Sequence, residues 1–212
     1  MKSLGIFSEE DVTQSILKSY NQYLTLFSNL QSLLLTNFYK SHQSTEKGSI
    51  VLFFNKEAQR KILRNKDYDL NFDLSFIKFW DNHGNIVYPK HSISDVALKI
   101  GLPKETTRRN ILQLIQQKVL GKEKGIIGFM PNENYKNNFR KFTEVEINQI
   151  INLINFFSEK LDFKIDIEVI KKEFKKNFSF YWLHFLEAQI DFLKEWRSNI
   201  KDLDLLHIYY RC

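Results

Sequence analysis

The first forty residues carry hydrophobic positions at the spacing of an α-helix. Ser8 to Asp11 has the pattern of a capping box, in which a hydroxyl and a carboxylate three residues apart satisfy free backbone N–H groups. The hydrophobic positions that follow are Val12, Ile16, Tyr20, Tyr23, Phe27, Leu30 and Leu34. Because no glycine or proline intervenes before Phe38, the pattern predicts one helix of roughly 45 Å. Such a helix should pack on a second copy of the chain, which we favour, or on the chain's own last helix.

The next segment is less regular. Residues 41–49 are mostly polar and predict a loop, whereas Ile50 to Phe54 form an apolar run too short to distinguish a strand from a buried helical turn. Four basic residues between Lys56 and Arg64 predict a short helix, for which we favour a solvated basic face over one that contacts phosphates.

The carboxyl-terminal third has helical spacing throughout. Thr143 to Glu146 repeats the capping-box pattern and predicts the start of a helix, and Asp166 is placed to cap another helix that runs through Phe174. A long last helix has a stripe of Leu183, Leu186, Ile190, Leu193 and Trp196. A dense aromatic patch lies in the same region, and we expect it to serve core packing: Phe178, Phe180, Tyr181, Trp182, Phe185, Phe192 and Trp196.

Composition narrows the fold class. Only 7 glycines and 3 prolines occur in 212 residues, which favours long helices over a many-stranded sandwich or barrel. The single cysteine, Cys212, excludes an intramolecular disulfide and a cysteine-based zinc or iron–sulfur site. Met1 to Gly5 does not begin an apolar leader, and no stretch approaches the ~20 apolar residues that span a bilayer. We therefore expect a cytoplasmic protein with no membrane association.

The most informative stretch is residues 92–115, which predicts two helices joined by a tight turn. Ser94 is placed to cap the first helix, which should bury Val96, Ala97 and Ile100. Gly101 can adopt the left-handed conformation that ends a helix.

Leu102 should then fill the corner between the helices, and Pro103 suits the first position of the second helix, which should run over about 103–117. The inner face of this helix carries Thr107, Ile111 and Leu114, and its outer face carries Glu105, Arg108, Arg109 and Gln113.

This stretch resembles the helix-turn-helix of bacterial winged-helix transcription regulators, the set that includes the MarR-like, GntR-like and IclR-like families. The resemblance implies a first helix before the pair, for which Leu74 to Trp80 is the candidate, and a β-hairpin wing after it. Lys118 to Met130 fits the wing, with a charged turn at residues 121–125 between two short apolar strands. Thr107 departs from the aliphatic residue usual at its position. In MarR-like regulators small ligands bind between the dimerisation helices and the DNA-binding lobe, so the resemblance leaves an effector site at the aromatic patch open as an alternative to core packing.

Charge is concentrated in the same region. The chain has a net charge of +6, and residues 90–124 contain eight basic and three acidic residues, a net +5. Double-stranded DNA is the polyanion that a helix-turn-helix binds, and the amino end of its second helix enters the major groove. The expected DNA-binding residues are Ser94, Lys104, Glu105, Thr106, Arg108, Arg109, Gln113, Lys122 and Lys124. Arginine can bind guanine, Thr106 a thymine methyl or a phosphate, and Glu105 cytosine, whereas Ser94 and the lysines should contact phosphates.

Other chemistry has little support. His184 and Glu187 share a helical face, but one such pair is more typical of a local hydrogen bond than of a metal site. No Walker loop, GxGxxG, GxSxG or HExxH motif occurs. We therefore expect neither an enzyme nor a bound metal or cofactor.

Together these patterns predict a mainly α protein, in which a winged helix-turn-helix lobe with a small β-hairpin is flanked by long terminal helices. The predicted regions are a dimerisation region at 1–66, a DNA-binding domain at 67–135 and a helical region at 136–212. The predicted function is that of a homodimeric, sequence-specific transcriptional regulator. Two alternatives stay open, namely a winged-helix module for protein assembly and a DNA-binding protein of the replication-initiator type.

Overall fold

The computed structural model describes residues 8–162, 166–200 and 202–210, so the predictions made on Met1 to Gly5 and on Cys212 lie outside it. Within those ranges the chain is mainly helical and has one two-stranded antiparallel sheet. The elements in chain order are α1 (Glu9–Lys18), α2 (Tyr20–His42), α3 (Thr45–Tyr68), α4 (Phe79–His83), α5 (Ile93–Ile100), α6 (Lys104–Gln116), β1 (Leu120–Glu123), β2 (Ile126–Phe129), α7 (Glu133–Lys160), α8 (Ile167–Lys176), α9 (Phe178–Asn199) and α10 (Asp204–Tyr209).

The amino-terminal segment forms two helices, so the prediction of one unbroken helix is wrong. Its start is as predicted, because the Ser8 hydroxyl accepts from the Asp11 N–H at 3.1 Å and the Asp11 carboxylate accepts from the Ser8 N–H at 2.9 Å. Ser19 then leaves the helical conformation, with φ −131° and ψ 36°. This break lets α1 contact both α2 and α7, a tertiary contact that the local pattern does not encode.

The loop predicted at 41–49 is also wrong, because α2 and α3 are separated only by Gln43 and Ser44. The Ser44 hydroxyl caps α3 by accepting from the Lys47 N–H at 3.4 Å. Thr45 and Ser49 at the start of α3 are buried, and the Ser49 hydroxyl donates to the Thr45 carbonyl at 2.9 Å.

The undecided run Ile50 to Phe54 is the buried middle of α3. These five residues are apolar on every side of the helix, as is typical of a buried segment, and α3 contacts α2, α5, α6, α9 and β2. The predicted short helix with a solvated basic face is therefore wrong as well. Lys56 is buried, and Arg60 bonds Glu57 and Glu187 at 2.9 and 2.8 Å.

In the carboxyl-terminal third, the capping box predicted at Thr143 to Glu146 does not start a helix. Helix α7 begins ten residues earlier, where the Asn132 side chain accepts from the Tyr135 N–H at 2.9 Å, and Thr143 and Glu146 are buried inside it. The Asp166 cap of α8 is confirmed by a 2.8 Å bond from the Glu168 N–H. The apolar stripe of α9 is buried as expected except for Trp196, which is partly buried. From the aromatic patch, Phe178 and Trp182 belong to the core, whereas Phe180 is exposed, contrary to the expectation of core packing.

Candidate nucleic-acid interface

The residue that caps α5 is Ser92, which precedes its first residue Ile93, so Ser94 is not the cap. The Ser92 hydroxyl accepts from the Asp95 N–H at 3.0 Å, and the Asp95 carboxylate accepts from the Ser92 N–H at 3.2 Å. Ser94 lies exposed in the first turn of the helix. The sequence contains the signal that decides between the two serines, because Ser92 has an acidic residue three positions later and Ser94 has Ala97 there.

We expect Ser92→Ala to lower the free energy of unfolding by about 1 kcal/mol, because the start of α5 loses its cap. Ser94→Ala is the matched control and should change stability by less than about 0.5 kcal/mol, since Ser94 is exposed inside the helix. Urea unfolding of both variants measures the difference. Equal losses in the two variants would contradict the assigned cap.

The corner between α5 and α6 contains the predicted residues in the predicted roles, but α6 begins one residue later than predicted. Gly101 has φ 70°, in the left-handed region, and the Leu102 N–H donates to the Ala97 carbonyl at 3.0 Å. Leu102 is buried in the corner. Pro103 precedes α6 rather than occupying its first helical position, and its carbonyl accepts from the Thr107 N–H at 2.9 Å.

The predicted inner faces of α5 and α6 are buried. Thr107 is 0% exposed, and its hydroxyl donates to the Pro103 carbonyl at 3.0 Å. That bond satisfies the polar atom, so a threonine can occupy an inner position without an unpaired hydroxyl.

Three residues that the sequence reasoning missed fix this helix pair to the rest of the molecule. Asn110 of α6 donates to the Glu46 carboxylate of α3 at 3.0 Å. Arg197 of α9 donates to the Ile100 carbonyl at the end of α5. These bonds hold the pair from its inner side and leave the opposite side of α6 exposed. No sequence signal identifies them, because each joins residues that are far apart in the chain.

The helix predicted at Leu74 to Trp80 is wrong, and only the short α4 lies nearby. The Asp73 carboxylate accepts from the Ser75 N–H at 2.8 Å, which favours a turn over a helix. The Phe76 N–H donates to the Lys175 carbonyl at 2.8 Å, so this backbone is bonded to α8 instead of to itself. Helix α3 packs against α5, α6 and β2. From the segment Leu74 to Trp80, the Trp80 ring also lies 6.0 Å from the Phe129 ring of β2.

The hairpin predicted within Lys118 to Met130 is present. Strands β1 and β2 pair antiparallel, with Leu120 opposite Phe129 and Glu123 opposite Ile126. The connection is a two-residue turn at Lys124 and Gly125, with φ 48° and 80°, which is tighter than the five-residue turn predicted at 121–125. Lys122 therefore lies in β1 and Lys124 in the turn, and both are exposed.

The outward side of α6 is strongly charged. Lys104, Glu105, Arg108 and Arg109 are exposed, whereas Thr106 and Gln113 are partly buried. The Arg108 Nε donates to the Glu105 Oε2 at 2.8 Å, with the Arg108 side chain 56% exposed. A surface pair of this kind contributes at most about 1 kcal/mol, so a stronger partner can displace it. Of the acidic residues that the structure describes, none forms an ion pair with Arg109.

The pair His184 and Glu187, considered above as a metal site, is a local contact. His184 Nδ1 lies 3.6 Å from Glu187 Oε2, but Glu187 also binds Arg60. Within 8–162, 166–200 and 202–210, no group of three or more histidine, cysteine, aspartate or glutamate residues could hold a metal ion. None of the helices described there combines the length and apolar character needed to cross a bilayer.

Comparison of this chain with protein-family models, with curated proteins and with solved structures finds no match. The case for a function therefore depends on the residues and geometry of the chain itself.

Proposed function

We propose that this protein is a cytoplasmic, sequence-specific regulator of transcription that binds double-stranded DNA through a winged helix-turn-helix. In this proposal α5 and α6 are the helix pair and β1–β2 is the wing, within the region 67–135. The observation that carries it is the outward side of α6, where Arg108 and Arg109 are exposed side by side while the opposite side is buried against α3 and α5.

The packing supports this assignment in one further respect. A winged helix-turn-helix needs a third helix behind the pair, and α3 contacts α5, α6 and β2 in that role. The third helix is then supplied from outside the region 67–135, by a helix that also contacts α2 and α9. The DNA-binding lobe and the flanking helices thus share one core.

The exposed side chains of the helix pair and the hairpin suit both contacts to base edges and contacts to phosphates. Arginine binds the O6 and N7 atoms of guanine with two parallel hydrogen bonds, which makes Arg109 and Arg108 the proposed base-reading residues. Lys104, at the first position of α6, adds its charge to the positive end of the helix dipole. The Ser94 hydroxyl is not used as a cap, and together with Lys122 and Lys124 it is assigned to phosphates.

The test uses DNA fragments selected from a random pool by the wild-type protein. Arg109→Ala and Arg108→Ala should each weaken binding about tenfold or more and relax the sequence preference at one position. Lys122→Ala should weaken binding to all sequences alike and reduce the salt dependence by about one phosphate contact. Fluorescence anisotropy at several salt concentrations measures both effects.

Arg64→Ala is the matched control, because Arg64 is an exposed arginine near the end of α3. It should bind the selected fragments like the wild type. Unchanged binding by all three variants of the α6 and hairpin residues, at unchanged thermal stability, would overturn the proposed docking.

A homodimer is part of the proposal. Leu17, Tyr20 and Leu24 are exposed near the junction of α1 and α2 and form an apolar surface suited to a second copy. A symmetric dimer would bind two half-sites about 34–36 Å apart. Light scattering measures the mass, and palindromic selected fragments would support the symmetric arrangement. Replication origins rather than promoters among the bound genomic sites would favour the initiator type of DNA-binding protein.

A second function, a protein-assembly module, is favoured by one observation. Leu98 on α5 is 77% exposed, and Leu112 on α6 is exposed as well, although both belong to the helix pair. Apolar side chains on that surface suit a protein partner better than phosphates. Salt distinguishes the two functions, because phosphate contacts release counterions and make DNA affinity fall steeply with ionic strength.

A further inference from the structure

A cavity of about 520 Å³ lies between α2, α3, α7 and α9. Its walls are rich in aromatic rings, namely Phe38, Tyr135, Phe139, Phe142, Trp182 and Phe185. Cavities of roughly 300–1,000 Å³ with mostly apolar walls and a few polar groups are typical of small-molecule sites. The DNA-binding proposal does not use any of these rings.

One wall of the cavity carries a buried carboxyl group. Glu146 of α7 is 6% exposed, and its Oε1 accepts from the Asn37 Nδ2 of α2 at 3.0 Å. Its other oxygen, Oε2, has no hydrogen-bond donor among the residues that the structure describes. Burial raises the pKa of Glu146 to about 7, while the bond from Asn37 opposes that shift. The cavity therefore presents a carboxyl group that lacks a cationic partner.

The other titratable residues that line the cavity do not place a positive charge beside Glu146. His42 is buried and bonds the Tyr135 hydroxyl at 3.2 Å, and burial lowers the pKa of His42 to about 4, so it is neutral near pH 7. Burial and the nearby Glu146 raise the pKa of Tyr135, which therefore stays protonated. Lys40 is an exposed residue of α2. The remaining lining residues from α3 and α9 carry no charge.

We infer that this cavity binds a small aromatic molecule bearing a protonated amine, with the ring among the aromatic walls and the ammonium group on Glu146. A buried carboxylate is costly unless it is paired, and an ammonium donor on Oε2 supplies the missing partner. Aromatic faces around the cavity add attraction for the same cation. An anionic ligand would instead meet the Glu146 carboxylate and be disfavoured.

The cavity also reaches the helix pair proposed to bind DNA. Gln117 and Val119, which directly follow α6, belong to its lining, as does Asn132, whose N–H donates to the Lys118 carbonyl at 2.9 Å. A ligand in the cavity would thus contact the segment that joins α6 to the hairpin. Ligand binding itself does not depend on the proposed DNA-binding function and is measured without DNA.

The test is isothermal titration calorimetry of the full chain with three indole probes, namely tryptamine, indole-3-ethanol and indole-3-propionate. At pH 8 tryptamine should bind at least about tenfold more tightly than the neutral alcohol, since a hydrogen bond between charged groups replaces a neutral one. The carboxylate probe should bind most weakly. Tighter binding of indole-3-propionate, or no binding of tryptamine at millimolar concentration, would overturn the inference.

Glu146→Gln should reduce tryptamine affinity about tenfold or more while keeping an acceptor for Asn37. Glu144→Gln is the matched control, because Glu144 is exposed on the same helix and bonds Lys175 at 3.1 Å. It should leave the affinity unchanged. Equal tryptamine affinity in wild type and Glu146→Gln would exclude Glu146 as the partner of the amine.

A pH series on the wild type gives a readout that needs no variant. Because the amine binds the ionised carboxylate, tryptamine affinity should rise about tenfold between pH 6 and pH 8 and then level off. At pH 6 the complex should release about one proton, which titrations in buffers of different ionisation enthalpy detect. A pH-independent affinity with no proton release would contradict pairing with Glu146.

Discussion

Gly48→Val is expected to lower the free energy of unfolding by about 3 kcal/mol, because α2 and α3 meet at this residue without room for a side chain. A Cβ atom at Gly48 would lie 2.3 Å from the Cγ and Cδ2 atoms of the Phe38 ring. Both residues are buried, so the ring can avoid the clash only by leaving its packed position for the cavity that it lines. Urea unfolding followed by circular dichroism measures the loss.

Gly84→Ala is the control for Gly48→Val. A Cβ atom at Gly84 would meet nothing closer than the Asp81 carbonyl oxygen at 3.6 Å, and Gly84 has helical dihedrals with φ −60°. This change should be neutral or stabilise by up to about 1 kcal/mol. Phe38→Ala combined with Gly48→Val should cost less than the sum of the two single changes, because the clash is gone. Strict additivity would mean that the ring and the glycine do not compete for space.

Features fixed by neighbouring residues could be predicted from the sequence. The Ser8 cap, the left-handed Gly101 and the β-hairpin each depend on residues a few positions apart. The exposed charges of α6 followed from the same helical spacing that buries Ile111. Local pattern alone therefore indicated which side of α6 is open to solvent.

Features that depend on distant residues could not be predicted. The polar pattern of residues 41–49 predicts a loop, but α3 begins at Thr45. There the Thr45 N–H donates to the Asp204 carboxylate, 159 residues away, at 2.9 Å. The capping-box pattern at Thr143 lies inside α7, where the buried Glu146 pairs with Asn37, 109 residues away. The bond between Asn110 and Glu46 likewise spans 64 residues. In each case a polar group that looks solvated is buried by a partner that periodicity cannot identify.

The second large effect expected is a pH-dependent stabilisation by Glu146→Gln. The folded-state pKa of about 7 lies above the ordinary value of 4.5, so the folded protein holds one more proton than the unfolded chain between these values. Stability therefore falls as pH rises through this range, by about 3 kcal/mol for a group shifted this far. Glutamine needs no proton and keeps the acceptor for Asn37, so the variant avoids that loss.

The difference in unfolding free energy between Glu146→Gln and wild type should be small near pH 4.5 and reach about 3 kcal/mol in favour of the variant at pH 8. The variant is compared with the wild type at each pH because His42 and His83 also make the free energy of unfolding depend on pH, in the direction opposite to Glu146. Burial lowers the pKa of each to about 4, so their contribution to stability rises with pH between about 4 and 6.5. Both histidines are unchanged in the variant, and their effect cancels.

Urea unfolding at pH 5, 6, 7 and 8 gives the curve, with Glu144→Gln expected to follow the wild type. A difference that stays constant over this range, or a variant less stable at pH 8, would mean that Glu146 is not buried as a protonated acid.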